Sequence, residues 1–168
     1  MIRAITPADS PAVAEIAIDS GLFSESDDGF LNQMMSDYFA LNQTEGHQCV
    51  IDMTDRPLGV AYFAPAKATA GTWYLTMIAV VADQQGLGRG AALMRHVEEA
   101  LRSSGERLLL VETSGQPTFE QTRTFYKKCG YTEEARVRDY YSAGDDMVLF
   151  RKALSGSTNA ILELTTRA

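Results

Sequence analysis

The chain has few of the residues that build disulfide frameworks or metal centres. It contains two cysteines, Cys49 and Cys129, too few for a disulfide framework and without metal-type spacing. Its two histidines, His47 and His96, have no Cys, Asp or His at ligand spacing. We therefore expect two reduced, buried thiols and no metal site.

Membrane and nucleic-acid signals are also lacking. No apolar run approaches the ~20 residues of a membrane helix. The N-terminus, MIRAITPADS, lacks the basic and then apolar layout of a signal peptide. A net charge of −7 and a pI of about 4.8 give no general attraction to nucleic acid or anionic membranes. These features predict a cytoplasmic location, no nucleic-acid partner and no membrane partner.

The length of 168 residues favours one domain. We place this domain at residues 1–154 and a tail at residues 155–168. The apolar residues of the tail, Ile161, Leu162 and Leu164, predict docking on the body or on a second subunit, so a homodimer is possible. The sequence leaves both possibilities open.

The most informative stretch is residues 72–101, which predicts a strand, a glycine loop and a helix. Residues 72–81 carry no charge and no proline, as in a strand buried on both faces. A helix follows the glycines, because Leu93, Met94, Val97 and Leu101 recur at helical spacing. The opposite, polar side is predicted to carry five charged residues: Arg89, Arg95, Glu98, Glu99 and Arg102.

The pattern Gln85-x-x-Gly88-x-Gly90 is a candidate pyrophosphate site. A helix start leaves backbone N–H groups without partners and carries partial positive charge. Glycines let the backbone approach a phosphate closely. Alone the pattern is weak, because such turns also serve simply as tight connections.

The remaining chain predicts a mixed α/β sheet flanked by helices. A strand at 1–5 precedes two helices. The first runs from a Thr6 cap to about Ser20, although Pro11 could move its start downstream, and the second has an apolar stripe over 30–39. Further strands are predicted at 47–53, 58–64, 107–113, 132–141 and 145–152, with a helix at 118–128.

This order of elements resembles the GNAT superfamily of acyl-CoA-dependent N-acetyltransferases. The motifs that carry the likeness are Gln85-Gly86-Leu87-Gly88-Arg89-Gly90 and Phe125-Tyr126-Lys127-Lys128-Cys129-Gly130-Tyr131. The resemblance spans roughly residues 1–154. It implies the GNAT acyl-CoA N-acyltransferase fold, acetyl-CoA as cosubstrate, and an amine, small or on a peptide, as acceptor.

The resemblance also implies cofactor-binding residues. Backbone amides of the loop would bind the pyrophosphate of coenzyme A, and Gln85 opens the motif. The pantetheine arm would pair like an added strand with the end of the fourth strand. The residues implied are Ile78, Ala79, Val80, Gln85, Gly86, Leu87, Gly88, Arg89 and Gly90.

Two catalytic residues are expected, Tyr126 and Glu112. Tyr126 occupies the place of the tyrosine that relatives use as general acid, and its ordinary pKa of ~10 is close to the ~8.5 of a thiol. The fourth strand holds no acid, so Glu112 on the next strand is the best substitute base. Its pKa should be raised if it is poorly solvated. The alternative is a solvent-facing acid, and Asp83, Tyr74, His47 or a water chain are weaker candidates for the base.

The acceptor is less defined. By the resemblance it binds between segments 24–29 and 138–146, which both contain clustered acids. These acids would attract a cationic amine, or they are solvated turn residues.

Two other functions remain open. Gly86-x-Gly88-x-x-Ala91 also fits a dinucleotide-binding fingerprint. Hairpin-length turns upstream argue against it, because a doubly wound sheet needs helical crossovers. A non-catalytic acyl-CoA sensor would keep the glycine loop and lack the chemistry.

Overall fold

The computed structural model describes residues 1–154, so the predicted docking of the 155–168 tail lies outside the described residues. Seven strands form one sheet in the order β1-β2-β3-β4-β5-β7-β6. The strands are β1 Ile2–Ala4, β2 Gln48–Met53, β3 Pro57–Pro65, β4 Thr72–Val80, β5 Leu108–Ser114, β6 Thr132–Ser142 and β7 Asp145–Ala153. The α-helices are α1 Ser10–Asp19, α2 Asp28–Asp37, α3 Arg89–Ser103 and α4 Glu120–Lys128.

Neighbouring strands are antiparallel except β4 and β5, which are parallel and joined by α3. The predicted hairpins β2–β3 and β3–β4 are present. The prediction of a mixed sheet flanked by helices is therefore confirmed, and the topology is not that of a doubly wound dinucleotide-binding sheet.

The sheet separates two hydrophobic cores. Along β3, Val60 and Tyr62 belong to the core under α1 and α2, whereas Ala61 and Phe63 belong to the core under α3 and α4. This alternation is the period of two of a strand buried on both faces. Helices thus cover both faces of the central strands.

The sheet contains a β-bulge at Thr76. Tyr62 pairs with Met77 and Phe63 with Leu75, so Thr76 is the extra residue of β4. Its hydroxyl donates a hydrogen bond to the Tyr62 carbonyl, 2.9 Å away. An extra residue reverses the alternation of faces. The odd-numbered Leu75, before the bulge, packs in the core under α3 and α4, and the even-numbered Val80, after the bulge, packs in the same core.

Two predictions about the helices need correction. The Thr6 cap begins a 3-10 turn, Pro7–Asp9, and the α-helix starts at Ser10, because Pro11 suits only the first turn of a helix. Glu98, placed on the polar side of α3, is only 3% exposed. Its carboxylate is buried because Lys152, Arg102 and Tyr131 all hydrogen-bond to it.

None of the helices in residues 1–154 has the length and apolar character needed to cross a membrane.

Candidate active site

The parallel strands β4 and β5 separate part-way along their length. Their pairing ends at Leu75 and Val111. Beyond this point β4 continues to Val80 beside β3, and β5 continues beside β7. The two strand ends therefore leave an opening in the sheet, with Ile78, Ala79 and Val80 along one side.

The glycine loop lies at the end of β4, on the same side of the molecule as this opening. Gly86 and Gly88 have φ values of +74° and +83°, a region that only glycine adopts without strain. A Cβ on either glycine would meet no atom within 4 Å, so the space beside the loop is open. Gly90 differs, because a Cβ there would lie 3.1 Å from the Phe125 ring.

Helix α3 presents free backbone donors at this loop. Its first internal bond runs from Ala92 N to Gly88 O, at 3.0 Å. The N–H groups of Arg89, Gly90 and Ala91 precede that bond, and no side chain of residues 1–154 caps the helix. The partial positive charge and the unpaired donors of a helix start together favour an anion.

Two side chains of the motif hold the loop in place. Gln85 Nε2 donates to Val80 O at 2.9 Å and to Ser20 O at 3.0 Å. The Arg89 guanidinium lies 3.0 Å from Asp52 Oδ2, a carboxylate that is itself buried. These contacts leave the backbone of the loop as the surface that faces outward.

Tyr126 is buried on the α4 side of the sheet. It is 5% exposed and packs against Phe125, Tyr131 and Phe150, with ring centroids 5.3 to 6.0 Å apart. Burial raises the pKa of Tyr126 well above its ordinary value. Its hydroxyl has no hydrogen-bond partner within residues 1–154, and it keeps its proton because burial of the side chain raises its pKa.

Glu112 lies on the other face of β5. It follows Val111, which packs in the same core as Tyr126, and its side chain is exposed. The poor solvation that we expected for Glu112 is therefore not found. Tyr126 and Glu112 therefore lie on opposite faces of the sheet.

Three tyrosines lie near Glu112, and the sequence analysis named only Tyr74 among them, as a weaker candidate for the base. Tyr74 pairs with Leu110, so it lies on the same face as Glu112. Burial, and then the negative charge of Glu112, raise the pKa of both Tyr74 and Tyr141. Tyr140 and Tyr141 come near Glu112 where β6 bulges. The sequence offered only a Tyr-Tyr pair before a turn as a signal.

The weaker candidates for the base are not brought to the opening, apart from Tyr74. Asp83 is exposed and forms an ion pair with Arg56. His47 Nδ1 lies 2.8 Å from the Tyr62 hydroxyl, at the start of β2. His96 is half-buried on α3.

Comparison with known proteins defines the family. Residues 44–133 match the model of the acetyltransferase (GNAT) domain. A structure from Desulfovibrio desulfuricans described as a GNAT-family acetyltransferase is 30% identical, with a TM-score of 0.86, over 92% of this chain and 99% of that one. The chain belongs to the GNAT acetyltransferase family. The GNAT fold predicted from the two motifs is thereby confirmed.

More distant GNAT structures share the fold. The ribosomal-protein-S18-alanine N-acetyltransferase of Escherichia coli is 22% identical, with a TM-score of 0.74, over 95% of this chain and 97% of that one. A Salmonella typhimurium protein solved with acetyl-CoA is 18% identical, with a TM-score of 0.75, over 95% of this chain and 96% of that one. A search of curated proteins finds no match.

Proposed function

We propose that this GNAT protein is an N-acetyltransferase, built on one domain of residues 1–154, that moves an acetyl group from acetyl-CoA to a primary amine by direct attack. The observation that carries the proposal is the opening between β4 and β5, with the glycine loop at its end. A relative with this fold was solved with acetyl-CoA. Both features fit one elongated ligand with a diphosphate at one end.

The chain's own residues fit the coenzyme. The N–H groups from Gly86 to Gly90 would bind the pyrophosphate, since the space beside Gly86 and Gly88 is open. The edge of β4 at Ile78, Ala79 and Val80 would pair with the pantetheine arm, because β5 has turned away from it. The Gln85 side chain would not contact the coenzyme itself. It would favour coenzyme binding by holding the loop in position.

Acetyl-CoA supplies a thioester whose acetyl group is transferred and whose thiol leaves. A backbone N–H near Ala79 or Val80 would stabilise negative charge on the carbonyl oxygen. Tyr126 would hold a proton at its hydroxyl and give it to the departing sulfur. Burial keeps Tyr126 protonated, as a general acid must be at the start of the reaction, but the raised pKa removes the closeness to the thiol pKa on which the expectation from the sequence relied.

Glu112 would take the proton that the amine must lose. Its exposed position permits transfer through a water molecule as well as directly. The carboxylate would also attract the protonated amine before the reaction, because opposite charges attract. The two catalytic groups would then act from opposite faces of the sheet, which keeps the acid and the base apart.

The test has a binding arm and a turnover arm. Calorimetric titration should show binding of coenzyme A, and no comparable binding of NADH. Release of free thiol from acetyl-CoA should depend on an added amine, and Tyr126→Phe and Glu112→Gln should each lower kcat by about 10²-fold. Turnover unaffected by both variants would contradict the assigned roles. Binding of coenzyme A without turnover on any amine of a broad panel would instead support the acyl-CoA sensor.

A further inference from the structure

The tyrosines Tyr74, Tyr140 and Tyr141, here called the tyrosine cluster, lie near Glu112 at the end of β5. Tyr74 shares the face of the sheet with Glu112, and Tyr140 and Tyr141 precede Ser142, which pairs with Asp145, the residue that accepts a hydrogen bond from Ser114 at the end of β5. Tyr140 and Tyr141 are 54% and 46% exposed, so large aromatic surfaces face solvent. Their ring centroids lie 5.0 Å apart at 90° to each other. Two perpendicular rings form a corner rather than a flat patch.

This corner is built into the backbone. Pairing between β6 and β7 passes from Val137–Met147 directly to Ser142–Asp145, so the residues between them leave the ladder. Asp139 has a φ of +54°, and its N–H donates to Asp146 Oδ1 at 3.1 Å. Asp139 Oδ1 in turn accepts from Gly144 N at 2.7 Å. These bonds hold the bulge that presents the two rings.

The charge beside the cluster is negative and unpaired. Glu112 forms no hydrogen bond and no ion pair with any residue from 1 to 154. Arg151, on the same face of the sheet, lies opposite Leu110 rather than Glu112 and so away from the open end of β5. Arg138, at the start of the bulge, also forms no ion pair with Glu112. Asp145 adds a second negative charge near Tyr141, although Ser114 donates to its Oδ1.

A cation fits this combination better than any other group. The face of a tyrosine ring attracts an ammonium electrostatically, and a nearby carboxylate adds to the attraction. A neutral or anionic group would be attracted neither to the ring faces nor to the carboxylate. The reacting nitrogen must lose its proton to attack, so a lasting positive charge in this corner belongs to another part of the acceptor.

We propose that the acceptor carries a second positive charge, which binds in the corner of Tyr140 and Tyr141 beside Glu112. This rests on the proposed function. The acceptor class is then a diamine or a longer polycationic amine, in place of a simple alkylamine. Attraction between the cation and the ring faces, rather than a hydrogen bond from the ammonium to the hydroxyl oxygens, supplies the selectivity.

The first test compares butane-1,4-diamine with butylamine, which has the same chain and lacks the second charge. We expect the wild-type kcat/KM to be at least tenfold higher for the diamine, mainly through a lower KM. The double variant Tyr140→Leu/Tyr141→Leu should lose about five- to tenfold of this preference, because leucine has no ring face. The double variant Tyr140→Phe/Tyr141→Phe should keep it, because phenylalanine retains the ring.

The second test needs no turnover. Tetramethylammonium is a compact cation that cannot donate a hydrogen bond from nitrogen, and tert-butanol is a neutral molecule of similar shape. An NMR titration should shift resonances of the tyrosine cluster with tetramethylammonium and not with tert-butanol, and the shifts should disappear in the leucine double variant. Thermal unfolding of both double variants shows whether the fold is intact.

The outcomes separate this inference from the proposed function. Acetylation of both amines at equal kcat/KM, with no effect of the leucine substitutions, would overturn the cation site and leave the transferase standing. Binding of tetramethylammonium without acetylation of any amine would overturn the transferase and leave the cation site standing. Equal shifts with tetramethylammonium and tert-butanol would show an apolar contact and overturn the inference.

Discussion

Lys152 Nζ lies 2.7 Å from Glu98 Oε2, which joins strand β7 to the buried face of helix α3. The same ammonium donates to the Cys129 carbonyl at 2.7 Å, just after α4. Arg102 and Tyr131 also donate hydrogen bonds to the Glu98 carboxylate. A buried charge is tolerated only when it is paired and hydrogen-bonded, so this group of residues locks three elements together.

We therefore expect Lys152→Met to lower the free energy of unfolding by about 3 kcal/mol, because it leaves the Glu98 charge buried with a weaker set of partners. Denaturant titration measures this loss. Glu99→Gln is the matched control on the same helix, since Glu99 pairs with the same Arg102 from the surface. Its effect should stay within about 0.5 kcal/mol. A loss below about 1 kcal/mol for Lys152→Met would show that the network contributes little.

This network also marks a limit of the sequence. The apolar periodicity of α3 correctly predicted the helix and its core positions Leu93, Met94, Val97 and Leu101. The same periodicity placed Glu98 among the exposed charges, because a one-dimensional pattern does not show a lysine arriving from a strand 54 residues away. Partners that are distant in sequence decide whether a charge can be buried.

The candidate site also combines features that the sequence predicted with features that it did not. The strand at 72–81 and the glycine loop were predicted almost to the residue, since local composition determines both. The Thr76 bulge and the Asp139 conformation were not predicted. Each depends on register with a neighbouring strand, and register is not encoded by any short stretch. For this reason Tyr140 and Tyr141 were not singled out, although Tyr74 was.

Gly88→Ala tests the glycine loop. The positive φ of Gly88 opposes any Cβ, so we expect the substitution to cost about 1–2 kcal/mol of stability or to shift the loop. In either case coenzyme A affinity, measured by calorimetry, should fall at least tenfold. Gly29→Ala is the control, because Gly29 lies within α2 without a positive φ or close neighbours. It should leave affinity unchanged and stabilise slightly. Unchanged affinity in Gly88→Ala would exclude the loop as the pyrophosphate site.

Gln85→Ala tests whether the side chain acts through the loop. It removes the hydrogen bonds to Val80 O and Ser20 O, which join the loop to β4 and to the end of α1. We expect coenzyme A affinity to fall about three- to tenfold, since each lost bond contributes about 1 kcal/mol. Gln84→Ala is the neighbouring control, because the Gln84 side chain makes no hydrogen bond to residues 1–154. Equal effects of the two variants would show that the bonds of Gln85 do not position the loop.

The buried hydroxyl of Tyr126 predicts a loss of stability at alkaline pH. Its folded-state pKa is raised by burial, whereas in the unfolded chain it ionises near its ordinary value of about 10. Below that value both states are protonated and the full stability is present. Above it the unfolded state loses a proton that the folded state keeps, so stability falls by up to about 1.4 kcal/mol per pH unit from this group.

The measurement compares the free energy of unfolding of the wild type and Tyr126→Phe at pH 9, 10.5 and 11.5. Lysines and other tyrosines titrate in both proteins, so the difference between the two slopes isolates Tyr126. We expect the variant to have the shallower alkaline slope. Parallel slopes for the wild type and Tyr126→Phe would mean that water reaches the hydroxyl in the folded protein, and the buried proton donor assigned to Tyr126 would then be wrong.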